Sequence, residues 1–428
     1  MVSHPLRIGT GQGRPNGTSR NEPFDRWFRY PAGFSRELAD QLFGQLEVRP
    51  GGLVLDPFVG SGVAATAARD RGCRFIGIEA HPLVAELAAT KLNWPGAGSE
   101  LVVAAEEVER EARKRCGNTL RRRELESETD LVQRSFAPET LMQLVALRET
   151  IKQRDSARWG HHLKWAVLGT LRDVANVKVG WPYQLPGKSR EAPFNDVFER
   201  FEDRCSMIAA DIDSVPQRTA ECQIVVGDSR SSAVWRHLDV GEASACITSP
   251  PYLNNFDYAD ATRLELYFWG TVATWAEMSE YVRSDLLVST TQQSSVAEAA
   301  RALERLRSDN LLLPSISEVL EKLTRERESR PRGKEYDRMV VTYFADIADV
   351  FRNLKRVLRP GSRVVMTVGD SAPYGVHIDT PTMLASVATE IGYTLGADVM
   401  LRHRGRRWLS NGTRHKVPLS ERVLVLSA

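Results

Sequence analysis

Two adjacent prolines, Pro250 and Pro251, follow an apolar stretch of the chain and limit what that stretch can form. The residues before them, Ala245 to Thr248, have the composition of a short buried strand. A proline cannot continue a sheet ladder because it has no N–H to donate, so the strand must end there. Open α/β sheets bind ligands at the carboxyl ends of their strands. We therefore expect the Ser249 hydroxyl, the Pro250 carbonyl and the Tyr252 ring at a ligand site.

A second predicted strand runs into a glycine-rich turn, Asp56-Pro57-Phe58-Val59-Gly60-Ser61-Gly62. Small residues after the turn begin a helix, so bare N–H groups would face a ligand at a helix N-terminus. The next strand ends at Glu79, where a carboxylate can accept both ribose hydroxyls of a nucleoside. This spacing favours an adenosine-containing cofactor. The glycines alone would also suit a tight turn in any α/β fold.

A third strand, Cys222 to Val226, is followed by Asp228. Its carboxylate could accept a hydrogen bond from an adenine amino group. It could equally cap the helix that follows.

Strands and helices alternate in two parts of the chain, and helical apolar spacing in a charged background separates them. This pattern predicts an α/β fold with a doubly wound sheet and helical insertions. The predicted units are a flexible tail at 1–22, a cofactor-binding half at 23–95, a helical insertion at 96–220 and a catalytic half at 221–428, which carries a charged helical insertion at about 288–335.

The first insertion mixes basic and aromatic side chains, which are Trp159, His161, His162, Lys164, Trp165, Lys178, Trp181, Tyr183 and Lys188. Such a mixture can bind nucleic acid by charge and stacking. It can equally form a solvated helix face that packs through its tryptophans. The residues leave both interpretations open.

Composition excludes several classes of protein. The net charge of +2 indicates no partner by itself, so basic surfaces have to be argued locally. The five cysteines form no C-x-x-C pair, which argues against a zinc site or a disulfide framework. No apolar run approaches the roughly 18 residues of a membrane span. We expect a cytoplasmic protein without a metal site.

A dense basic segment near the C-terminus includes Arg404, Arg406, Arg407 and Trp408. Its position between two predicted strands favours contacts with nucleic-acid phosphates, although a solvated hairpin would have a similar composition.

These motifs together resemble the S-adenosylmethionine-dependent DNA amino-methyltransferases. Asp56-Pro57-Phe58-x-Gly60-Ser61-Gly62 is similar to the cofactor motif of that family, and Ser249-Pro250-Pro251-Tyr252 is similar to its catalytic motif. Tyr30-Pro31 before a helix resembles the extra N-terminal cofactor motif. The segment Arg356 to Gly361 resembles a late helix-turn-strand. The resemblance covers roughly residues 24–95 and 220–426. Compared with that family, the chain ends soon after the basic segment, so we expect the insertions to supply target recognition.

The resemblance implies a Rossmann-like class I methyltransferase fold, S-adenosyl-L-methionine as cofactor and double-stranded DNA as substrate. It also implies two groups of site residues. The cofactor group is Tyr30, Pro31, Asp56, Pro57, Phe58, Gly60, Ser61, Gly62, Glu79 and Asp228. The catalytic group is Ser249, Pro250, Pro251 and Tyr252. In this family a serine at the first catalytic position is typical of cytosine-N4 enzymes, and adenine-N6 enzymes are the alternative. The enzyme would be a solitary modifier or a component of a restriction or defence system.

The chemistry expected of the residues agrees with this resemblance. An exocyclic amine is a poor nucleophile, and hydrogen bonds from its N–H groups to Ser249 and the Pro250 carbonyl would localise its lone pair. The base must leave the duplex to reach such a pocket, where Tyr252 could stack on it. Cys246 is not adjacent to the prolines, which disfavours a covalent C5-cytosine mechanism.

Two rival functions remain. RNA or protein amino-methyltransferases would use the same Pro-Pro-Tyr chemistry. An NAD-dependent oxidoreductase could use Gly60, Gly62 and Glu79 as a dinucleotide fingerprint. Against the oxidoreductase, Asp56-Pro57-Phe58 places a carboxylate and a ring where a dinucleotide site needs a plain strand and glycine turn.

Overall fold

The computed structural model describes residues 21–46, 48–118, 125–154, 158–179, 191–192, 196–215, 220–255, 257–291, 294–404 and 417–428. These residues include seven strands, which are β1 (Leu53–Asp56), β2 (Arg74–Glu79), β3 (Cys222–Val226), β4 (Ala243–Thr248), β5 (Leu358–Gly369), β6 (Thr394–Arg404) and β7 (Leu419–Ser427). They form one sheet in the order β3-β2-β1-β4-β5-β7-β6. The first five are parallel to their neighbours, whereas β7 runs antiparallel to both β5 and β6.

The longer described helices are α1 (Arg36–Leu46), α2 (Val63–Asp70), α3 (Pro82–Leu92), α4 (Gly98–Asn118), α5 (Pro138–Lys152), α6 (Gly160–Val174), α7 (Val197–Asp213), α8 (Arg263–Trp269), α9 (Val296–Ser308), α10 (Pro314–Glu328), α11 (Tyr336–Val357) and α12 (Thr380–Glu390). None of the helices in the described ranges is both long and apolar enough to cross a membrane.

Helices cover both faces of the sheet. Alternate strand residues point to opposite faces, so each strand contributes side chains to two cores. Leu53 and Leu55 of β1 join a core with α11 and α12. Val54, between them, joins a second core with α1 and α2. The predicted Rossmann-like, doubly wound class of fold is therefore confirmed.

The direction of winding reverses between β1 and β4. From β1 the chain proceeds outward to β2 and β3, whereas from β4 it proceeds the other way to β5. Such a switch point leaves a crevice at the carboxyl ends of the two central strands, where open α/β folds bind their ligands. Asp56 ends β1 and Thr248 ends β4, so the two motifs predicted from the sequence meet at this crevice.

Helices α4 to α7 form a third hydrophobic core together with apolar residues of the N-terminal segment, α3 and α8. Trp159 and Trp165 are 4% and 0% exposed within it, and His162 is 3% exposed. Of the two interpretations of the basic and aromatic residues, packing through tryptophans therefore applies to Trp159, His162 and Trp165. Trp181, Tyr183 and Lys188 lie outside the described residues.

The N-terminal segment is attached to this helical core through Asp211 of α7. Its buried carboxylate accepts hydrogen bonds from the backbone N–H of Phe24 and from Nε1 of Trp27, both at 2.9 Å. Arg26 forms an ion pair with the same carboxylate. The segment that leads to Tyr30 is consequently held between the insertion and the sheet.

The late helix-turn-strand differs in detail from its prediction. In the segment Arg356 to Gly361, α11 ends at Val357 and β5 begins at Leu358, so the helix and the strand follow each other without a separate turn. The β4–β5 pairing shifts its register between Ala243 and Ala245, which accommodates the additional residues as a bulge.

Candidate active site

A cleft of about 980 Å³, including its opening to solvent, lies at the carboxyl ends of β1 and β4. It brings together every predicted cofactor and catalytic residue except Gly62. The predicted residues that line it are Tyr30, Pro31, Asp56, Pro57, Phe58, Gly60, Ser61, Glu79, Asp228, Ser249, Pro250, Pro251 and Tyr252. The two motifs, nearly 200 positions apart in sequence, thus share one cavity.

The glycine turn needs its glycines for two different reasons. Gly60 has φ of 53°, and a Cβ placed on it would meet nothing closer than 3.9 Å, so backbone conformation explains this glycine. Gly62 has φ of 87° and precedes α2. A Cβ there would lie 3.1 Å from Cβ of Ala88 in α3. Gly62 therefore allows two helices to approach each other and does not line the cleft.

Asp56 is 2% exposed at the end of β1. Its Oδ1 accepts hydrogen bonds from the Thr248 hydroxyl at 2.6 Å and from the Phe58 N–H at 2.9 Å. Burial raises the pKa of Asp56 to about 7. The Thr248 contact joins the last residues of β1 and β4, so the cofactor turn and the catalytic turn are fixed relative to each other.

Glu79 is half-buried at the end of β2. Its two carboxylate oxygens accept backbone N–H groups, Oε2 from Gly60 at 2.8 Å and Oε1 from His81 at 2.9 Å. Burial raises the pKa of Glu79 to about 7. Each carboxylate oxygen has a second lone pair, so the group can still accept hydrogen bonds from a ligand.

The catalytic turn begins with half-buried Ser249 and continues to buried Tyr252. The backbone N–H of Tyr252 donates to the hydroxyl of Tyr258 at 3.2 Å. Asn254 adopts φ of 56° and donates its backbone N–H to the Ser289 carbonyl at 2.9 Å. This last contact places the chain around residues 285–289 across one side of the cleft.

Asp228 lines the cleft but is engaged by a neighbour that the sequence did not suggest. Its carboxylate accepts from Nε of Arg230 at 2.9 Å, and Nη1 of Arg230 donates to buried Asp346 at the same distance. The short helix that follows is capped by Ser231, which accepts from the Ala233 N–H. The capping interpretation of Asp228 is therefore wrong.

The described part of the basic segment contacts the catalytic turn. The guanidinium carbon of Arg404 lies 4.9 Å from the centroid of the Tyr252 ring. Arg406, Arg407 and Trp408 lie outside the described residues, so their predicted role in DNA binding stays a prediction.

The cleft has further lining residues beside the predicted ones, and five of them come after the catalytic turn in the chain: Asn255, Tyr258, Asp285, Leu286 and Leu287. Their sequence context is that of a polar turn and of a short apolar stretch between helices. Only the fold brings residues 285–287 to the crevice, because they lie more than 30 positions after the catalytic motif.

The chain matches a family model described as DNA methylase, of the N6/N4 class, over residues 10–90. It is 24% identical over 415 residues to the type II methyltransferase M.AvaI of Nostoc sp. (strain PCC 7120), covering 88% of this chain and 80% of that protein. It is 25% identical over 422 residues to the type II methyltransferase M.BsoBI of Geobacillus stearothermophilus, covering 88% and 79%.

Solved structures that resemble the fold include TrmN from Thermus thermophilus, at 11% identity and a TM-score of 0.31, covering 96% of this chain and 52% of that one. Geranyl diphosphate methyltransferase in complex with SAM is 9% identical with a TM-score of 0.32, covering 92% and 84%.

The residues of the cleft fit S-adenosyl-L-methionine, which the methyltransferase family implies as cofactor. The carboxylate of Glu79 can accept from ribose hydroxyls, and the apolar surfaces of Tyr30 and Phe58 suit an adenine ring. Several carboxylates around the cleft also suit the positive sulfonium and ammonium groups of this molecule.

Proposed function

We propose that this chain, a DNA amino-methyltransferase by its family match and its relatives, transfers a methyl group from S-adenosyl-L-methionine to cytosine N4 in duplex DNA. The observation that supports this most strongly is the single cleft shared by the glycine turn and the Ser249-to-Tyr252 turn. A methyl donor and an acceptor amine held in these two turns would meet without any movement of the sheet.

In this proposal the residues at the ends of β1 and β2 hold the cofactor. Glu79 accepts the ribose hydroxyls, and the Gly60 N–H is fixed by Glu79 itself at 2.8 Å. Asp56 orients the turn through Phe58. When bound, the cofactor supplies an electrophilic methyl group on a positively charged sulfur.

The Ser249 hydroxyl and the Pro250 carbonyl act on the acceptor amine. Both accept hydrogen bonds from its N–H groups, which localises the nitrogen lone pair and aims it at the methyl group. No covalent bond to the protein is required. Cys246 supports this view, because it is fully buried on β4 and burial raises the pKa of its thiol well above the ordinary value.

The acceptor base must be extruded from the duplex, because its amine is otherwise out of reach. We assign Tyr252 as the stacking partner of the extruded base. Arg404 covers one face of this ring, so the base would use the other.

Cytosine N4 is preferred over adenine N6 because serine stands at the first catalytic position, which in the resembled family is typical of cytosine-N4 enzymes. Both relatives are type II methyltransferases by name, and we propose a modification role of that kind for this chain. Arg406 and Arg407 are assigned to DNA phosphates, and the helical insertion at 96–220 to target recognition.

Methyl transfer from radiolabelled cofactor to unmethylated duplex DNA tests this proposal, with RNA and protein as parallel substrates. Nucleoside analysis of the DNA should show N4-methylcytosine. N6-methyladenine would move the acceptor to the alternative base, and label only in RNA or protein would reject the DNA substrate. Detection of 5-methylcytosine alone would reject direct amine transfer.

Two substitutions separate chemistry from binding at the same site. Ser249→Ala should lower the single-turnover rate and leave cofactor affinity, measured by calorimetry, nearly unchanged. Tyr252→Ala should cost more than Tyr252→Phe, since stacking contributes about 1–3 kcal/mol per base. Equal losses in the two tyrosine variants would contradict a stacking role.

A further inference from the structure

The hydroxyl of Tyr252 donates a hydrogen bond to Oε1 of Glu421 at 2.6 Å. Glu421 lies on β7, two strands away from β4 in the sheet. Glu421 is 1% exposed, and its second oxygen accepts from Nε of Arg402 on β6. A buried carboxylate is costly unless its oxygens are paired, and both oxygens here have partners. One of those partners is the residue assigned to stack the base.

Arg404 holds the same ring from another direction. Its guanidinium carbon lies 4.9 Å from the ring centroid, within the range of a cation–π contact. Its Nη1 donates to the backbone carbonyl of Asp370 at 3.3 Å. The Asp370 carboxylate in turn accepts from the Ser420 N–H at 2.7 Å, beside Glu421.

A glycine makes room for this arrangement. Gly369 of β5 is the register partner of Glu421. A Cβ on Gly369 would lie 3.1 Å from Cδ2 of Tyr252 and closer still to the guanidinium of Arg404. The space that this glycine leaves is therefore filled by the tyrosine ring and the arginine that covers it.

We propose that the β6–β7 hairpin positions the catalytic tyrosine, with Glu421 as the positioning residue that fixes its hydroxyl and Arg404 as the cover on one ring face. This inference rests on the proposed function. A ring that is already fixed loses less conformational freedom when a base stacks on it, so Glu421 would accelerate methyl transfer without touching the substrate.

A double-mutant cycle on Tyr252→Phe and Glu421→Leu tests this coupling. Each single variant should lower the single-turnover methyl-transfer rate by about fivefold, the size of one net hydrogen bond. The double variant should also lose about fivefold, because the contact between the two side chains is already absent in either single variant. Independent roles would instead give a product of about twenty-five-fold and overturn the proposal.

Further measurements exclude a merely structural role. Cofactor affinity, measured by calorimetry, should be the same in all four proteins, and parallel losses of affinity and rate would make Glu421 a residue of the general fold. Glu421→Gln keeps the shape of the side chain if the leucine variant does not fold. Glutamine offers one oxygen to the two donors, Tyr252 and Arg402, so the same double-mutant cycle can be run with Glu421→Gln.

A readout without methyl transfer keeps this inference separate from the proposed function. The Cζ resonance of Tyr252 in ¹³C-tyrosine-labelled protein, assigned by its loss in Tyr252→Phe, should shift in both Glu421 variants. A shift with no DNA methylation in the wild type would reject the function and retain the contact. An unshifted resonance would reject the contact. Gly369→Ala should lower the transfer rate by displacing the ring, whereas Gly44→Ala, where a Cβ meets nothing within 4 Å, should not.

Discussion

The ammonium group of Lys91 donates a hydrogen bond to the backbone carbonyl of Ser61 at 2.9 Å, from beneath the glycine turn. Lys91 lies on α3 and is completely buried, and burial lowers the pKa of its ammonium group to about 8. The carboxylate of Asp25 lies 3.8 Å away and supplies the compensating charge. A buried cation thus supports the cofactor turn from the side opposite the cleft.

We expect Lys91→Met to weaken both the fold and cofactor binding. Loss of the donor leaves the Ser61 carbonyl and the Asp25 carboxylate without this cation, at a cost of about 1–3 kcal/mol in the free energy of unfolding. Urea unfolding and calorimetry measure the two effects. Lys322→Met is the control, because the partner of that exposed lysine among the described residues is Glu318 on its own helix, and the change in stability should be about 0.5 kcal/mol or less. Unchanged cofactor affinity in Lys91→Met would show that the turn does not depend on this contact.

The contribution of Asp56 and Glu79 to the free energy of unfolding should fall as pH rises from about 4 to 7. In the folded protein, burial raises the pKa of Asp56 and Glu79 to about 7, so both remain protonated in this range. In the unfolded chain they ionise near pH 4, and the folded state then binds more protons than the unfolded state. Glu79→Gln should flatten the dependence measured by urea unfolding. An unaltered pH profile in that variant would contradict the raised pKa.

Cofactor affinity should have the opposite pH dependence. If the ionised carboxylate of Glu79 accepts the ribose hydroxyls, binding requires loss of its proton, and affinity should rise by up to about tenfold per unit below pH 7. Calorimetry at pH 6 and pH 8 checks this for the wild type. The Glu79→Gln variant should bind weakly at both values, and a strong pH dependence that persists in it would assign the effect to another group.

Gly62→Ala should destabilise the protein more than Gly51→Ala. Both glycines have positive φ, of 87° and 80°, so both variants pay a similar conformational cost of about 1 kcal/mol. Only at Gly62 does the new methyl group also meet Ala88, at 3.1 Å, whereas at Gly51 it meets nothing within 4 Å. Thermal unfolding of the two variants measures the difference. Equal losses of stability in the two variants would mean that α2 and α3 move apart without a cost in free energy.

Exchange of Arg406 and Arg407 for glutamine should reduce DNA affinity for all sequences alike and flatten its salt dependence, since phosphate contacts act through counterion release. Arg404→Gln should instead act mainly on the methyl-transfer rate, because the Arg404 side chain contacts the Tyr252 ring. Binding titrations at several salt concentrations distinguish the two. A loss confined to one DNA sequence would make the basic segment a base reader.

The fold class and the relationship to DNA amino-methyltransferases could be predicted from the sequence, and both are confirmed. Proline cannot continue a sheet ladder, and glycine adopts positive-φ conformations that other residues disfavour, so Pro250, Pro251 and the glycine turn locate two strand ends without a structure. Once two strand ends carry ligand-binding residues, the doubly wound sheet brings them to one crevice.

Residues that act through long-range contacts could not be predicted in this way. Glu421 stands between Ser420 and Arg422, a polar stretch typical of a solvent-facing segment, yet it is buried against Tyr252. Lys91 resembles any lysine near the end of a helix. Arg404 was grouped with its basic neighbours, although its ring contact depends on how the hairpin lies against β5. In each case the partner is distant in sequence, and the local pattern contains no sign of it.

The attachment of Phe24, Arg26 and Trp27 to Asp211 has a consequence for engineering chimaeras. An exchange of residues 96–220 for the corresponding helices of another enzyme would remove the acceptor that orders the segment leading to Tyr30, and with it one wall of the cofactor cleft. A chimaera would need to carry the donor enzyme's equivalent of residues 24–30 together with its helices. On the proposed role of residues 96–220 in target recognition, the unit that carries specificity would be discontinuous, assembled from two pieces of chain that lie on either side of the glycine turn.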